Sequence, residues 1–281
     1  MDNYVQNVEK FVKLYEESRE IKLNFTEPYI VRIRQLGYKE FCKDLNKPFD
    51  SIYFRAMERA TARLVKNKNI GGCKLGYTTL NEINLVFTGS NPKDYRVLKS
   101  SYTISYISSW MSSMATSYFN EELFKIIEAE KLENEYREIK VDTTKYEKLL
   151  FKAEFKVNTF NLPKECIYDY LYMKCRNSMR NSFIATTLSV IPDNERVGKS
   201  ETQLSSILKD KGVDIEKQPW RFRYGTMCAK IKNPKSEVHI ITLERPLQGN
   251  GTKLCPSSDK KNINKILFSN NLGTIKLRNV L

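Results

Sequence analysis

Several residue types that catalytic and metal-binding proteins commonly use are scarce in this 281-residue chain. It has one histidine, His239, which removes most mechanisms that pair a serine or cysteine nucleophile with a histidine base. Its six cysteines are scattered without a C-x-x-C pair. Neither a zinc site nor a disulfide framework is predicted, and reduced, buried thiols are expected.

Long apolar runs are also missing. No stretch of about 18 uncharged apolar residues occurs in the chain. Residues 1–20 are acidic and amphipathic, whereas a signal peptide is basic and then apolar. We therefore expect a soluble, cytoplasmic protein without a membrane partner.

Positive charge is what the sequence has in excess. Lysine and arginine total 47 against 33 aspartates and glutamates, which gives a formal net charge of +14. Such an excess attracts polyanions, so nucleotides and nucleic acids lead the expected partners. A codon bias toward lysine and asparagine would give the same composition, and charge alone leaves the choice open.

The first half of the chain predicts the opening of a palm fold. Residues 29–33 form a short strand, and Asp50 is the N-cap of a helix whose apolar positions share one face. Two runs with β character follow, 73–78 and 83–87, and a bend joins them. Strand, helix and hairpin in this order begin a βαββ unit.

Further helices are predicted around that sheet. They are an amphipathic helix over residues 2–22, one from about Tyr95 to Asn120, one over residues 121–140, and one from Pro163 to Leu188 after a strand over residues 151–160. The expected fold class is α+β, with a palm-like core, an antiparallel sheet flanked by helices, and a C-terminal helical and strand extension. We assign residues 1–160 to the palm-like domain and 161–281 to a helical region and extension packed on it.

The bend at residues 79–82, Thr-Leu-Asn-Glu, is the centre of the expected site. It presents Asn81 and Glu82 at one edge of the sheet. Phosphoryl transfer needs divalent cations to neutralise charge that develops on the phosphates, and in palm-type nucleotidyltransferases carboxylates at this bend hold those cations. Glu82 is therefore either a metal ligand with a catalytic role or a solvated turn carboxylate.

Several strings in the chain resemble the tRNA-His guanylyltransferase family. The family's V-R-x-D-G-R, K-P-F-D and S-D-E strings correspond here to residues 31–36, 47–50 and 80–82. Its R-Q-x-D-A-x-R-N-S helix ends here in Arg180-Asn181-Ser182, and its G-K-(S/T) and P-x-W-x-x-x-G strings resemble segments within residues 197–226. The resemblance covers about residues 28–232, with the motifs in the family's order.

This resemblance implies a palm like that of polymerases and cyclases and a role in tRNA processing. Family members add nucleotides in the 3′-to-5′ direction to RNA 5′ ends. A nucleoside triphosphate first activates a 5′ monophosphate, and the 3′-hydroxyl of an incoming GTP then attacks. The aspartates of V-R-x-D-G-R and S-D-E hold magnesium for both steps, and members assemble as tetramers.

Both metal-binding positions of the family differ in this chain. Carried over residue by residue, the first aspartate falls on Arg34 and the second on Asn81. Arginine cannot coordinate Mg²⁺ and asparagine offers only a neutral carbonyl, so Glu82 alone supplies negative charge. A guanidinium instead binds phosphate oxygens directly, which makes Arg34, with its neighbour Gln35, a predicted nucleotide-binding residue.

The same resemblance implies that further polar residues complete a phosphate site. Arg96 and Lys99 follow the hairpin, near where family members contact the triphosphate. Arg180 and Asn181 lie where the family uses R-N at the nucleotide and the RNA 5′ end. The run Trp220–Tyr224 alternates aromatic and basic residues and suits an unpaired RNA end, although a core position for Trp220 explains it as well.

Three functions follow from these observations. The first is a divergent family member that binds GTP or ATP and the 5′ end of tRNA or another RNA, with a degenerate two-metal centre. The second is an active 3′-to-5′ nucleotidyltransferase that adds GMP to RNA 5′ ends with Glu82 in a rearranged ligand set. The third is a nucleotide-sequestering or protein-interaction module on the same fold.

Overall fold

The computed structural model of the chain describes residues 3–18, 20–67, 72–89, 103–230, 238–242, 247 and 258–268. Its strands are β1 (Tyr29–Gln35), β2 (Cys73–Thr78), β3 (Glu82–Phe87), β4 (Phe155–Asn161), β5 (Thr226–Lys230) and β6 (Val238–Thr242). Its α-helices are α1 (Asn3–Ser18), α2 (Tyr38–Phe41), α3 (Ser51–Lys66), α4 (Ile104–Asn134), α5 (Thr144–Glu147), α6 (Ile167–Val190), α7 (Asp193–Arg196), α8 (Glu201–Asp210), α9 (Trp220–Tyr224) and α10 (Ser258–Phe268).

The strands form one sheet in the order β4-β1-β3-β2-β5-β6, and every neighbouring pair is antiparallel. β1, α3, β2 and β3 are the predicted strand, helix and hairpin. β5 and β6 belong to the second predicted region, 161–281, yet they extend the sheet of the first. The predicted antiparallel sheet flanked by helices is confirmed.

The β2–β3 hairpin has nearly the predicted bounds. Its second strand begins at Glu82, one residue earlier than the alternation of apolar residues indicates. The amide of Thr79 donates to the carbonyl oxygen of Glu82 at 2.9 Å, which closes the bend. β1 pairs with the other side of β3, so the bend lies beside the end of β1.

One face of the sheet is covered by α3 and α4. The Asp50 side chain accepts a hydrogen bond from the Tyr53 amide at 2.9 Å, so the predicted N-cap of α3 is confirmed. The apolar stripe of α3 packs with the odd-numbered side chains of β1 and β3 in the larger core cluster: Ile52, Ala56, Met57, Ala60, Leu64, Val31, Ile33, Ile83 and Leu85.

The prediction of two helices between residues 95 and 140 is wrong. The structure has one helix, α4, which begins at Ile104 after an N-cap at Thr103 and runs without a break to Asn134. The predicted break fell after Asn120. The Asn120 side chain accepts from the Ala153 amide and donates to its carbonyl oxygen, so this polar residue fastens α4 to the segment before β4 without interrupting it.

The opposite face of the sheet is covered by α6. Ile167, Leu171, Lys174 and Ser178 are buried along this helix, while Tyr170 is half-buried. The smaller core cluster joins α6 to even-numbered side chains of β1 and β3, to Leu75 and Tyr77 of β2, and to α10.

Three smaller predictions also have outcomes. The N-terminal helix is present, and Val8, Phe11 and Val12 on its apolar face are exposed. Five cysteines are free, and all but Cys166 are buried; Cys255 lies outside the described residues. Among the described helices, none combines the length and the apolar character that crossing a membrane requires.

Candidate functional site

A group of charged side chains lies on the α6 face of the sheet, at the end where the hairpin bends. Arg34 is the register partner of Glu82 on β3 and of Lys156 on β4. Directly opposed residues in adjacent strands point to the same face, so these three side chains share the face that α6 covers. Arg32, two residues earlier on β1, points the same way. We call this group, with Lys174 of α6, the cationic face.

Glu82 is the carboxylate that we include in the cationic face, and it is bonded to two of the cations. Its Oε2 accepts from Nε of Arg32 and lies at the same distance, 2.6 Å, from Nη2. Its Oε1 lies 2.6 Å from Nζ of Lys174. The Asn84 amide donates to Oε1 at 3.0 Å. Both carboxylate oxygens are therefore already satisfied by the protein.

Burial and these bonds act in opposite directions on the ionisation of Glu82. Burial raises its pKa, but hydrogen bonds from Arg32, Lys174 and Asn84 and the charge of Lys174 lower it overall. The pKa of Lys174 is also lowered, because burial and the charges of Arg32 and Arg34 outweigh its bond to Glu82. One carboxylate thus holds two cations that repel each other.

Tyr170 supports this arrangement from α6. Its hydroxyl donates to Oδ1 of Asn84 at 2.6 Å, which orients the amide that Glu82 accepts from. Burial raises the Tyr170 pKa, and the negative charge of Glu82 raises it further, while Arg32 and Arg34 act against both. The phenol is neutral at physiological pH and serves as a hydrogen-bond donor.

Two members of the cationic face remain unpaired. Arg34 is half-buried and Lys156 is exposed, and neither forms a salt bridge with any residue in the described part of the chain. The face therefore presents four cations against one carboxylate. An excess of positive charge that is partly shielded from water favours an anionic ligand.

Asn81 lies beside Arg34. The resemblance equates these two positions with the metal-binding aspartates of the family, and so implies that they are neighbours. The carbonyl oxygen of Asn81 accepts from the Gln35 amide at 3.0 Å. The side chain of Asn81 is half-buried at the bend. The two positions are neighbours in space even though 47 positions separate them in the sequence.

Gln35 lies on the other face of the sheet. It is 5% exposed, and its Oε1 accepts a hydrogen bond from the Tyr53 hydroxyl of α3. Its buried Nε2 has no hydrogen-bond partner in the described structure. The Gln35 side chain thus packs under α3, away from Arg34.

The residues present do not fit a magnesium pair of the kind that the resemblance implies. Arg34 and Asn81 supply no carboxylate, and both oxygens of Glu82 are bonded to Arg32, Lys174 and Asn84. In the described parts of the chain, no three His, Cys, Asp or Glu side chains come together as a potential metal site. Hard, strongly hydrated Mg²⁺ requires carboxylate or phosphate oxygens to offset partial dehydration.

Arg180 and the exposed Asn181 lie further along α6. Arg180 is six residues beyond Lys174, which is roughly 9 Å along the helix axis. It lines a cavity of about 340 Å³ between α6, α8 and α9, together with Arg176, Ser182, Glu201 and Arg223. Arg96 and Lys99, the other two predicted phosphate contacts, lie outside the described residues.

A second cavity opens at the turn that follows β1. Its volume is about 440 Å³, and Leu36, Gly37, Phe41, Lys148 and Leu149 are among its lining residues. Leu36 follows Arg34 by two positions, and its amide donates to the Glu154 carbonyl oxygen at 2.8 Å. The cavity next to the end of β1 is therefore mixed in character, because Glu40, Asp44 and Glu154 line it together with these residues and with Lys43 and Lys152.

Sequence analysis did not identify Arg32, Lys156, Lys174 or Tyr170 as site residues. A signal for Lys174 was available, because a lysine on the buried face of a helix needs a partner for its charge. Lys156 carried no comparable signal, since only the pairing of β4 with β1 brings it next to Arg34.

Comparisons with known proteins agree with this architecture. The sequence model of the tRNA-His guanylyltransferase family matches residues 9–156. A bacterial tRNA(His) guanylyltransferase-like protein in complex with ATP superposes with a TM-score of 0.72 at 21% identity, covering 94% of this chain and all of that one.

Two other solved structures are similar. A bacterial tRNA(His) guanylyltransferase-like protein in complex with GTP gives a TM-score of 0.62 at 21% identity, over 93% of this chain and 99% of that chain. The tRNA(His) guanylyltransferase of Saccharomyces cerevisiae gives 0.57 at 18% identity, over 76% and 91%. A search of curated protein sequences finds no significant match.

Proposed function

Since the chain belongs to the tRNA-His guanylyltransferase family, we propose that it binds a nucleoside triphosphate at the cationic face and the 5′ end of an RNA along α6. The observation that carries this proposal is the cationic face itself. Arg34 stands where the resemblance places a metal-binding aspartate, and it has no carboxylate partner in the described structure. A guanidinium in that position offers charge-assisted hydrogen bonds to phosphate oxygens.

Two features support nucleoside triphosphates as the ligand class. Two similar folds are solved in complex with ATP and with GTP. In this chain the 440 Å³ cavity at the turn after β1 offers a nucleoside the side chains of Leu36, Phe41 and Leu149 among charged neighbours. Arg96 and Lys99 complete the phosphate contacts in this proposal, and Asn81 orients the ligand from the bend.

The second part of the proposal places the RNA end on α6. Arg176, Arg180 and Arg223 line the 340 Å³ cavity, and the Phe183 ring also lines it. Guanidinium groups and an aromatic surface suit a phosphorylated, unpaired RNA end, and the net charge of +14 favours association with a polyanion. Asn181 is exposed next to this cavity and is an available hydrogen-bonding group.

Binding without metal-dependent transfer is the function that the geometry favours. A two-metal mechanism needs carboxylates with oxygens available to the ions. Here the aspartate positions hold Arg34 and Asn81, and Glu82 is bonded to Arg32 and Lys174. In this proposal the protein is a cytoplasmic binding protein. The proposal includes assembly into a tetramer, which the resemblance implies.

Calorimetric titration of the protein with ATP and with GTP, in EDTA and in magnesium buffer, tests the nucleotide part. Arg34→Ala is expected to weaken binding about tenfold, the loss of a hydrogen bond to a charged group. Lys125→Ala, an exposed lysine of α4, is the matched control and is expected to bind as the parent does. Absence of binding in both buffers, or equal affinity of Arg34→Ala and the parent, would contradict the proposal.

An extension assay tests the absence of transfer. The protein is incubated with 5′-monophosphorylated tRNA, labelled GTP, ATP and Mg²⁺ or Mn²⁺. We expect the RNA to bind and its length to stay unchanged. Extension that Glu82→Ala abolishes would establish instead an active nucleotidyltransferase.

A further inference from the structure

We propose that the cationic face selects the metal-free form of its polyphosphate ligand, so that Mg²⁺ weakens binding instead of supporting it. This inference rests on the proposed nucleotide-binding function and names the ligand form that the same site takes. Four fixed side-chain cations replace the divalent ions that the family fold implies: Arg32, Arg34, Lys156 and Lys174.

The cations of this face lie close to one another on adjacent strands. Arg34 is directly opposite Lys156 on one neighbouring strand and Glu82 on the other. Opposed residues in a sheet have Cβ atoms about 5 Å apart, so the Arg34 and Lys156 side chains leave the same face from adjacent positions. The charge of Arg34 also acts on Lys174 and Tyr170, which places it in the same electrostatic environment as the α6 side chains.

Glu82 is the carboxylate of this face. A lone carboxylate in a phosphate site would normally either bind a metal ion or repel the ligand. Glu82 does neither as the structure stands, because Arg32 and Lys174 take up both of its oxygens at 2.6 Å. Its role is to hold two cations that would otherwise repel each other, and it leaves the surplus charge of Arg34 and Lys156 available.

The charge of the ligand depends on whether Mg²⁺ is bound to it. A triphosphate complexed with Mg²⁺ has two fewer negative charges than the free anion, and the ion covers oxygens that a guanidinium would contact. In a face with surplus positive charge, a bound metal also adds like charge close to Arg34. Complexation therefore removes attraction and adds repulsion.

Calorimetry with ATP in EDTA and in saturating Mg²⁺, and with inorganic tripolyphosphate in both, measures the preference. We expect at least tenfold tighter binding in EDTA for both ligands. Equal affinity, or tighter binding with Mg²⁺, would overturn this inference while leaving the proposed function intact. Absence of binding in both conditions would overturn both.

Two sets of variants locate the effect. Lys156→Ala, on an exposed strand position, is expected to fold normally and to weaken metal-free binding about threefold, with Lys125→Ala unchanged. The double variant Arg34→Asp/Asn81→Asp restores two carboxylates and is expected to reverse the preference, so that ATP binds more tightly with Mg²⁺ and Mn²⁺ binding becomes visible by electron paramagnetic resonance. A parent protein that itself binds Mn²⁺ at this face would overturn the inference, as would unchanged metal-free affinity of Lys156→Ala.

Discussion

Glu82 and Glu130 are both buried and each bind two cationic side chains, but of these two only Glu82 lies in an excess of positive charge. Glu130 of α4 accepts from Arg55 of α3 and from Arg137, each at 2.6 Å. Arg137 is also bonded to Glu133, so the charges there balance. At Glu82 two cations are bonded, and two more, Arg34 and Lys156, form no salt bridge with a carboxylate among the described residues.

This difference separates a structural ion pair from the candidate binding surface. The Glu130 cluster joins α3 to α4, which cover the other face of the sheet from α6. Its charges balance, so it does not attract an anion. The Glu82 cluster uses the same pair of interactions to hold cations in place at the end of β1. Burial of a carboxylate is therefore common to both clusters, and the surplus of positive charge is what distinguishes the candidate site.

The largest expected effect is on stability when either carboxylate is neutralised. Glu82→Gln leaves the buried Lys174 without its counter-charge and is expected to lower the free energy of unfolding by about 3 kcal/mol. Glu130→Gln is expected to cost somewhat less, because Arg55 and Arg137 are each about one-third exposed and regain water. Urea denaturation followed by circular dichroism measures both free energies of unfolding. A loss below about 1 kcal/mol for Glu82→Gln would show that burial of Lys174 does not make the Glu82 cluster the more sensitive of the two.

A smaller effect is expected when one cation is removed from each cluster. The Lys174 side chain is 7% exposed, and Lys174→Met is expected to cost about 2 kcal/mol, because Glu82 keeps Arg32 and Asn84 as partners. Arg137→Ala removes a side chain that is 37% exposed and is expected to cost less than about 1 kcal/mol. The same denaturation experiment compares them, and equal losses would remove the distinction.

The hydrogen bond from Tyr170 to Asn84 has no equivalent among the bonds described at Glu130. Tyr170→Phe is expected to lower stability by about 1 kcal/mol, since Asn84 is fully buried and loses one donor. It is also expected to weaken ATP binding slightly, because Asn84 orients Glu82. Thermal unfolding and calorimetry measure the two effects, and an unchanged melting temperature would argue against a supporting role for the phenol.

The smallest effect concerns acid. Glu82 and Glu130 both have pKa values below the ordinary 4.5, in each case because cation bonds outweigh burial. A depressed carboxyl pKa contributes stability above the unfolded value, and this contribution is lost as pH falls below 4.5 through the folded value. Glu82→Gln and Glu130→Gln are each expected to flatten the acid side of a plot of melting temperature against pH. A parallel decline in parent and variants would contradict the assignment.

Local patterns predicted the elements that depend on local chemistry. The β2–β3 hairpin was predicted to within one residue, because apolar Ile83, Leu85 and Phe87 alternate with residues of the other face. The start of α3 followed from Asp50 as an N-cap. The prediction of a helix break after Asn120 was wrong. The side-chain amide of Asn120 binds Ala153, which lies 33 residues away, and no local pattern indicates this contact.

The site was predictable in part for the same reason. Comparison of short motifs indicated that Arg34 and Asn81 occupy related positions, and the backbone bond from Gln35 to Asn81 confirms that they are neighbours. The pairing of Glu82 with Lys174 was not predictable. Lys174 is 92 positions away and reaches Glu82 only because α6 crosses that face of the sheet. Likewise the side of β1 on which Gln35 lies depends on strand register, which a short motif does not specify.

Lys156 lies on β4, an edge strand of the described sheet, and its charge there has a second effect. An edge strand offers unpaired backbone groups on which another chain can add a strand, and lysines on such strands oppose this. A second copy pairing along β4 would bring its own Lys156 onto a face that already has surplus positive charge. The charge excess at this edge is therefore also expected to oppose strand addition, and a ligand that neutralises it is expected to remove part of that opposition.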